Sequence, residues 1–157
     1  MVYVAVIGPG SGVGPDIRQL AWDVGRLLAE RGAVVVTGGL GGVMAAAAEG
    51  CAHAAGQTLG ILPGADRVGA DEHLTLSIST GLGELRNGLI VNSVDGVVAV
   101  GGSWGTLSEL ALARRTGVPA VSIQGWTILD AQGNEQQIER ANSAEEAVDR
   151  ILQPPAS

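Results

Sequence analysis

The chain of 157 residues has no lysine; all nine of its basic residues are arginines. That absence removes two classes of chemistry. A phosphate loop of the Walker type requires G-K-[ST], and a pyridoxal enzyme requires a lysine to carry its Schiff base. Cysteine is almost absent as well. Cys51 stands alone, so no internal disulfide can form, a usage that fits a reducing, cytoplasmic setting. Two histidines and one cysteine without paired spacing make a zinc site unexpected, and no metal or other cofactor is implied. No apolar run reaches the roughly 18 residues of a membrane span, so no membrane partner is expected. The N-terminus opens directly on Val2-Tyr3-Val4-Ala5-Val6-Ile7 without a basic region, and does not read as a signal peptide. Basic runs are missing too, and the net charge is −7. A nucleic-acid partner, held through many phosphate contacts, is therefore not expected. A single nucleotide is still compatible, because a helix start and one arginine suffice for one phosphate.

What the chain does have is apolar residues and glycine. Hydrophobic residues make up 46% of it, which argues against disorder, and its length suits one domain. We read that domain as residues 1–153, with Pro154-Pro155-Ala156-Ser157 as a frayed tail. The chain is organised around Val97-Val98-Ala99-Val100-Gly101-Gly102-Ser103-Trp104-Gly105-Thr106-Leu107-Ser108-Glu109. This stretch reads as a buried strand, a tight glycine turn and the first turn of a helix. Backbone without Cβ atoms can pass close to a ligand, and free N–H groups at a helix start favour an anion. Ser103 and Thr106 add hydroxyls, and Glu109 lies one turn in. The T-x-x-E spacing of Thr106 and Glu109 also fits a purely structural capping box, and spacing alone does not separate the two readings.

In order, Val2–Ile7 reads as a strand without polar alternation, as in a sheet buried on both faces. The loop from Gly8 to Pro15 fails a strict G-x-G-x-x-G in every register, and the next strand, Ala33–Thr37, lacks a terminal acid for a ribose. A dinucleotide site is therefore not indicated; Ser11 is the best donor in that loop. Apolar spacing predicts a helix over Asp16–Arg31 ended by Gly32, with Trp22 off the apolar stripe as an exposed or interface residue. A second glycine turn, Gly38 to Gly42, leads into an alanine-rich helix over Val43–Ala55, which reads either as tight packing on the sheet or as a dimer face. Met44 and His53 read from spacing alone as fillers. Strands follow at Thr58–Leu62 and Leu74–Ser79, with a mobile loop between them whose Arg67, Asp71, Glu72 and His73 read as solvated. A helix over Leu85–Val94 carries Arg86 and Asn87 in its first turn. A cation is unfavourable there, so Arg86 invites an anionic ligand as its reason. After the central helix, Ala120–Ile123 is the last core strand, an edge hairpin is expected near Asp130–Gly133, and Ser143-Ala144-Glu145-Glu146 caps a terminal helix.

Strands alternating with helices imply an α/β architecture: a single doubly wound parallel sheet, a modified Rossmann fold. Right-handed crossovers then bring the loops at 8–15, 37–44, 81–87 and 101–106 to one sheet edge, where ligands of such sheets sit.

The run Gly101–Glu109, with Arg86 upstream, resembles the P-G-G-x-G-T-x-x-E signature of the "lonely guy" family, nucleoside monophosphate phosphoribohydrolases often mislabelled lysine decarboxylases. Gly38-Gly39 through Val43-Met44 and Gly60-Ile61-Leu62-Pro63 share the likeness. The resemblance implies Arg86 and Glu109 as a catalytic pair that breaks the N-glycosidic bond of a nucleoside 5′-monophosphate. It implies that Gly102, Gly105 and Thr106 cradle the 5′-phosphate; with the neighbouring turns at the same sheet edge, the candidate ligand-binding residues are Gly8, Ser11, Gly38, Gly39, Gly41, Gly42, Met44, Asn87, Gly101, Gly102, Ser103, Trp104, Gly105 and Thr106, for a nucleotide or other phosphorylated small molecule. It also implies a homodimer or larger homo-oligomer. Gly101 replaces the signature's proline, Ser103 one of its glycines, and Asn87 the lysine after the arginine. These departures are closer to a sister group that includes the molybdenum cofactor carrier proteins, for which the same pocket would bind a nucleotide or pterin phosphate without chemistry.

Overall fold

The computed structural model describes residues 1–153; the expected tail at 154–157 lies outside them. Seven strands form one sheet: β1 (Tyr3–Ile7), β2 (Val34–Thr37), β3 (Thr58–Leu62), β4 (Leu76–Ser79), β5 (Gly96–Val100), β6 (Ala120–Ile123) and β7 (Glu139–Arg140). Their order is β4-β3-β2-β1-β5-β6-β7, and every pairing is parallel. The helices are α1 (Pro15–Glu30), α2 (Val43–His53), α3 (Arg86–Asn92), α4 (Trp104–Thr116) and α5 (Ala144–Leu152), with a 3-10 turn at Gly83–Leu85 leading into α3. None is long and apolar enough to cross a membrane. This is the expected α/β architecture, one strand wider than expected. β7 is a two-residue strand whose side chains are exposed, so it carries no apolar signal.

The sheet is covered on both faces. Val4, Val6, Val35, Val98, Val100, Val121 and Ile123 face α1, α2 and α5. Ala5, Ile7, Val36, Ile61, Val97 and Ala99 face α3 and α4. Each of these valines and isoleucines, fully buried, contributes about 1.5–3 kcal/mol relative to exposure, which is why the central strands read as unbroken apolar runs. The chain reverses its winding between β1 and β5. That switch point opens a crevice at the carboxyl ends of these two strands.

α2 is not a free face. A Cβ on Gly25 of α1 would lie 2.0 Å from the Ala47 carbonyl oxygen, and one on Gly50 of α2 would lie 2.0 Å from that of Trp22. The two helices cross almost backbone to backbone, and Ala46 and Ala47 are buried in the core that α1 shares. The buried alanines serve tight packing, the first of the two readings of this helix. Trp22 is half-buried, 5.1 Å from the His53 ring and under the Arg26 guanidinium. The loop before β4 is also more tied than expected. The Asp71 N–H donates to the Gly39 carbonyl at 3.0 Å, and the Asp71 carboxylate accepts from the His73 N–H at 2.9 Å and faces its ring Nδ1. Only Arg67 and Glu72 of that quartet are exposed.

Candidate functional site

The crevice holds a cavity of about 210 Å³, lined by Val6, Ile7, Gly8, Gly10, Gly38, Leu40, Met44, Glu84, Arg86, Asn87, Gly105 and Glu109. All four loops expected at the carboxyl edge contribute to it. A larger cavity of about 590 Å³ lies elsewhere, near the start of β6. Its Arg140 and Arg150 are already paired with Glu135, Glu139 and Glu146.

Glu109 reaches the crevice because of where α4 turns. Thr106, Glu109, Leu110 and Ala113 form the buried stripe of this helix, at the i, i+3, i+4, i+7 spacing of a core-facing side. A carboxylate therefore occupies a core position, 7% exposed. The capping alternative for it fails. Ser103, not Thr106, is the N-cap, and its Oγ accepts from the Thr106 N–H at 3.2 Å. Thr106 is inside the helix, its hydroxyl 2.9 Å from Ser103 Oγ. Burial pushes the Glu109 pKa up to about 7, the Arg86 guanidinium pulls it back in part, and the Glu84 carboxylate pushes it up further. No hydrogen bond to Glu109 contributes.

Arg86 is 6% exposed. Its Nη1 donates to Asn87 Oδ1 at 2.8 Å and its Nη2 to the Gly38 carbonyl at 3.2 Å. Its Nε is buried without a partner. Gly38 makes this possible: a Cβ there would sit 2.7 Å from Nη2 and 2.6 Å from Met44 Sδ. Asn87 completes the arrangement by donating to Ser108 Oγ at 3.2 Å. Where the "lonely guy" signature has lysine, the amide oxygen holds the guanidinium, which an ammonium group has no acceptor to do.

The structure brings Gly8, Gly38, Met44, Arg86, Asn87, Gly105 and Glu109 together in the cavity wall. The other candidates lie outside that wall. Ser11 is exposed, and Gly39 turns towards Leu62 and Gly60. Gly41 and Gly42 pack on the backbone of Pro9 and Gly10, where a Cβ on Gly42 would lie 2.2 Å from the Pro9 oxygen. Gly101 is buried, its N–H donating to the Ile123 carbonyl at 2.9 Å. Trp126 lies against Gly102, its ring 1.9 Å from where a Cβ would stand, and Trp104 leans on Trp126 at 4.8 Å between ring centroids. Sequence reasoning missed Glu84, Leu40 and Gly10. Glu84 had a signal, an acid two residues before the out-of-place Arg86; Leu40 and Gly10 had none beyond membership of glycine turns.

A doubly wound parallel sheet with a buried guanidinium and carboxyl at its switch point is a Rossmann-like α/β arrangement. More narrowly, the chain belongs to the SLOG cluster4 family, which matches residues 1–148. It is 34% identical to the molybdenum cofactor binding protein from Rippkaea orientalis, with 96% of this chain and 94% of that one aligned at a TM-score of 0.86. It is 30% identical to the molybdenum cofactor carrier protein from Chlamydomonas reinhardtii, over 96% and 95% of the two chains, at a TM-score of 0.82. An uncharacterised protein of Archaeoglobus fulgidus is 35% identical over 130 residues, 83% of this chain and 85% of that one. The likeness to a carrier-type relative drawn from Gly101, Ser103 and Asn87 agrees with these neighbours.

Proposed function

We propose that the protein binds a small heterocyclic phosphate compound of the molybdenum cofactor type in the β1/β5 crevice and carries it without altering it. The observation behind this reading is the commitment of Arg86. Both of its terminal nitrogens are held within the protein, by Gly38 and Asn87, so the guanidinium is a fixed part of the wall. The carrier-type relatives support the same choice. The cavity holds the ring end of the ligand, and the phosphate end extends past Gly105 to the start of α4, where the helix dipole favours negative charge.

A second reading, hydrolysis of a nucleoside 5′-monophosphate, is favoured by one fact: a carboxyl that titrates near 7 suits general acid–base work. One experiment separates the two. The protein is mixed with molybdenum cofactor released from a molybdoenzyme and passed through gel filtration, and in parallel is incubated with AMP. The carrier reading expects pterin fluorescence eluting with the protein, loss of that signal in Arg86→Ala, and no adenine from AMP. Adenine release that Glu109→Gln abolishes, with no retained pterin, establishes the hydrolase instead.

We propose also that a second copy covers the outer side of α3 and α4, next to the crevice. Leu85, Leu89 and Trp104 stand exposed there, and Glu84 and Arg115 flank the groove between the helices. That groove shares Glu84, Asn87 and Gly105 with the cavity.

A further inference from the structure

We infer that the crevice takes up a proton with its ligand: filling the cavity moves a proton from solvent to the Glu109 carboxylate, so loading is favoured on the acid side of neutrality and release on the alkaline side. The inference rests on the binding reading above and deepens it by assigning how that site is regulated.

Three charged side chains crowd a small space. Glu84, Arg86 and Glu109 line one cavity of about 210 Å³, and β1, α2 and the glycine turns around it bring apolar side chains and uncharged backbone. Glu109 and Arg86 are buried. Glu84 is exposed, at the edge that the cavity shares with the groove between α3 and α4. The guanidinium is tied to Asn87 and Gly38, and no hydrogen bond stabilises the Glu109 carboxylate. When both carboxyls are ionised they outnumber the one cation. With a proton on Glu109 the charges balance.

In the protein alone Glu109 titrates at about 7, so a small push near neutrality decides its form. A ligand pushes it one way by two routes. The ring end shuts solvent away from the carboxyl, and desolvation disfavours the charged form. The phosphate at the start of α4, one turn from Glu109 along the helix, adds a like charge, which disfavours it again. Glu84 pushes in the same direction, damped by solvent because it is exposed. Binding and protonation are then linked. A ligand that raises the proton affinity of Glu109 is itself held more tightly where protons are plentiful. The proton comes from solvent and returns to it when the ligand leaves, so the cycle needs no other reactant.

The test uses hydroxymethylpterin phosphate as the probe, its fluorescence following binding to the intact protein from pH 6 to pH 8. Affinity is expected to fall about five- to tenfold over that range, the drop imposed when a carboxyl that starts near 7 becomes a ten- to hundredfold weaker acid on binding. Glu109→Gln, which cannot ionise, is expected to lack this fall; the probe's own protonation is common to both proteins and cancels in the comparison. Glu84→Gln is expected to move the midpoint of the fall to lower pH, since one like charge is gone. Calorimetry at pH 7 in PIPES and in imidazole, buffers of different ionisation enthalpy, counts the protons directly. Wild type is expected to take up about half a proton per ligand there. That count stands on the wild type alone if the variant does not fold, because a phosphate ester drawn to a helix start gives up a proton rather than taking one. No proton uptake with the probe bound, or a pH profile shared by wild type and Glu109→Gln, overturns the inference and leaves the carrier reading standing. Release of a proton overturns it too, and means that the ligand donates hydrogen bonds to an ionised Glu109. A probe that binds at no pH takes the carrier reading away, and the coupling with it. Proton uptake without retention of molybdenum cofactor in gel filtration keeps the coupling and removes the carrier reading.

Discussion

Glu109 sits where helix geometry calls for an apolar side chain, and that misfit has a measurable consequence. Its carboxyl titrates near 7 in the folded protein because burial opposes ionisation, while in the unfolded chain it titrates near the ordinary value of about 4.3. Between these two values the folded state holds a proton that the unfolded state has released, so stability falls as pH rises through that window and levels off above it. Glu109→Gln removes the ionisation while keeping shape and volume. It is expected to match the wild-type stability near pH 4 and to exceed it by about 1–3 kcal/mol at pH 8, solvent at the cavity mouth keeping the gain below the full shift. Urea denaturation at the two pH values measures it. A variant no more stable than wild type at pH 8 shows that the crevice does not strain this carboxyl. The same misfit was half legible in the sequence. A T-x-x-E pair admits a cap or a site, and the chain does not say that Ser103 takes the cap and turns Glu109 inward.

At the scale of elements, the parts that spoke in sequence are those whose physics is local. The unbroken valines of β1, β2 and β5 reported burial on both faces, and the stripe of α1 reported its inner side. Their bounds came within two residues of those observed. The misread parts depend on partners distant in the chain. β7 exists because Glu139 and Arg140 pair with Val121 and Ser122, which no pattern within 139–140 announces. The loop before β4 is tied by the Asp71 N–H to the Gly39 carbonyl and by the Thr58 hydroxyl to the His73 carbonyl. The alanines of α2 look alike whether they face α1 or a second subunit, and only the approach at Gly25 and Gly50 decides. That approach predicts an asymmetry. In a solvated helix, Gly→Ala stabilises by about 1 kcal/mol. At Gly50 the added methyl meets Trp22 backbone at 2.0 Å, a clash the flexible end of a side chain cannot relieve. Gly50→Ala is expected to destabilise by about 1–3 kcal/mol net of the propensity gain, lowering Tm by roughly 2–10 °C for a chain of this size. A Tm unchanged or raised in differential scanning calorimetry means that α1 and α2 part without cost.

The whole molecule is unevenly finished. One face of the sheet is sealed by α1, α2 and α5, which pack closely on it and on one another. The other is covered by only two helices, α3 of seven residues and α4 of thirteen, and apolar side chains remain outside them: Leu85 is 80% exposed and Trp104 76%. Leu76 and Ile78 on the edge strand β4 are exposed as well, and Ile78 lies in register with Ile61 of this same face. Monomeric proteins rarely leave contiguous apolar surface of this kind in water. In the dimer proposed above, a two-fold axis would set this patch against its own copy, and Glu84 and Arg115, which line the same groove, would offer opposite charges to that copy. Glu84 lines the cavity too, so in that dimer association and ligand binding would be coupled through the cavity mouth. Leu85→Glu places a charge at the centre of the patch without touching the cavity wall. It is expected to convert a dimer to monomers in sedimentation equilibrium, and to weaken ligand binding by calorimetry although every cavity residue is intact. A wild-type protein that sediments at the mass of a single chain at micromolar concentration removes the dimer. A monomeric variant that binds ligand as well as the wild type keeps the dimer and cuts the coupling, leaving the crevice complete within one chain.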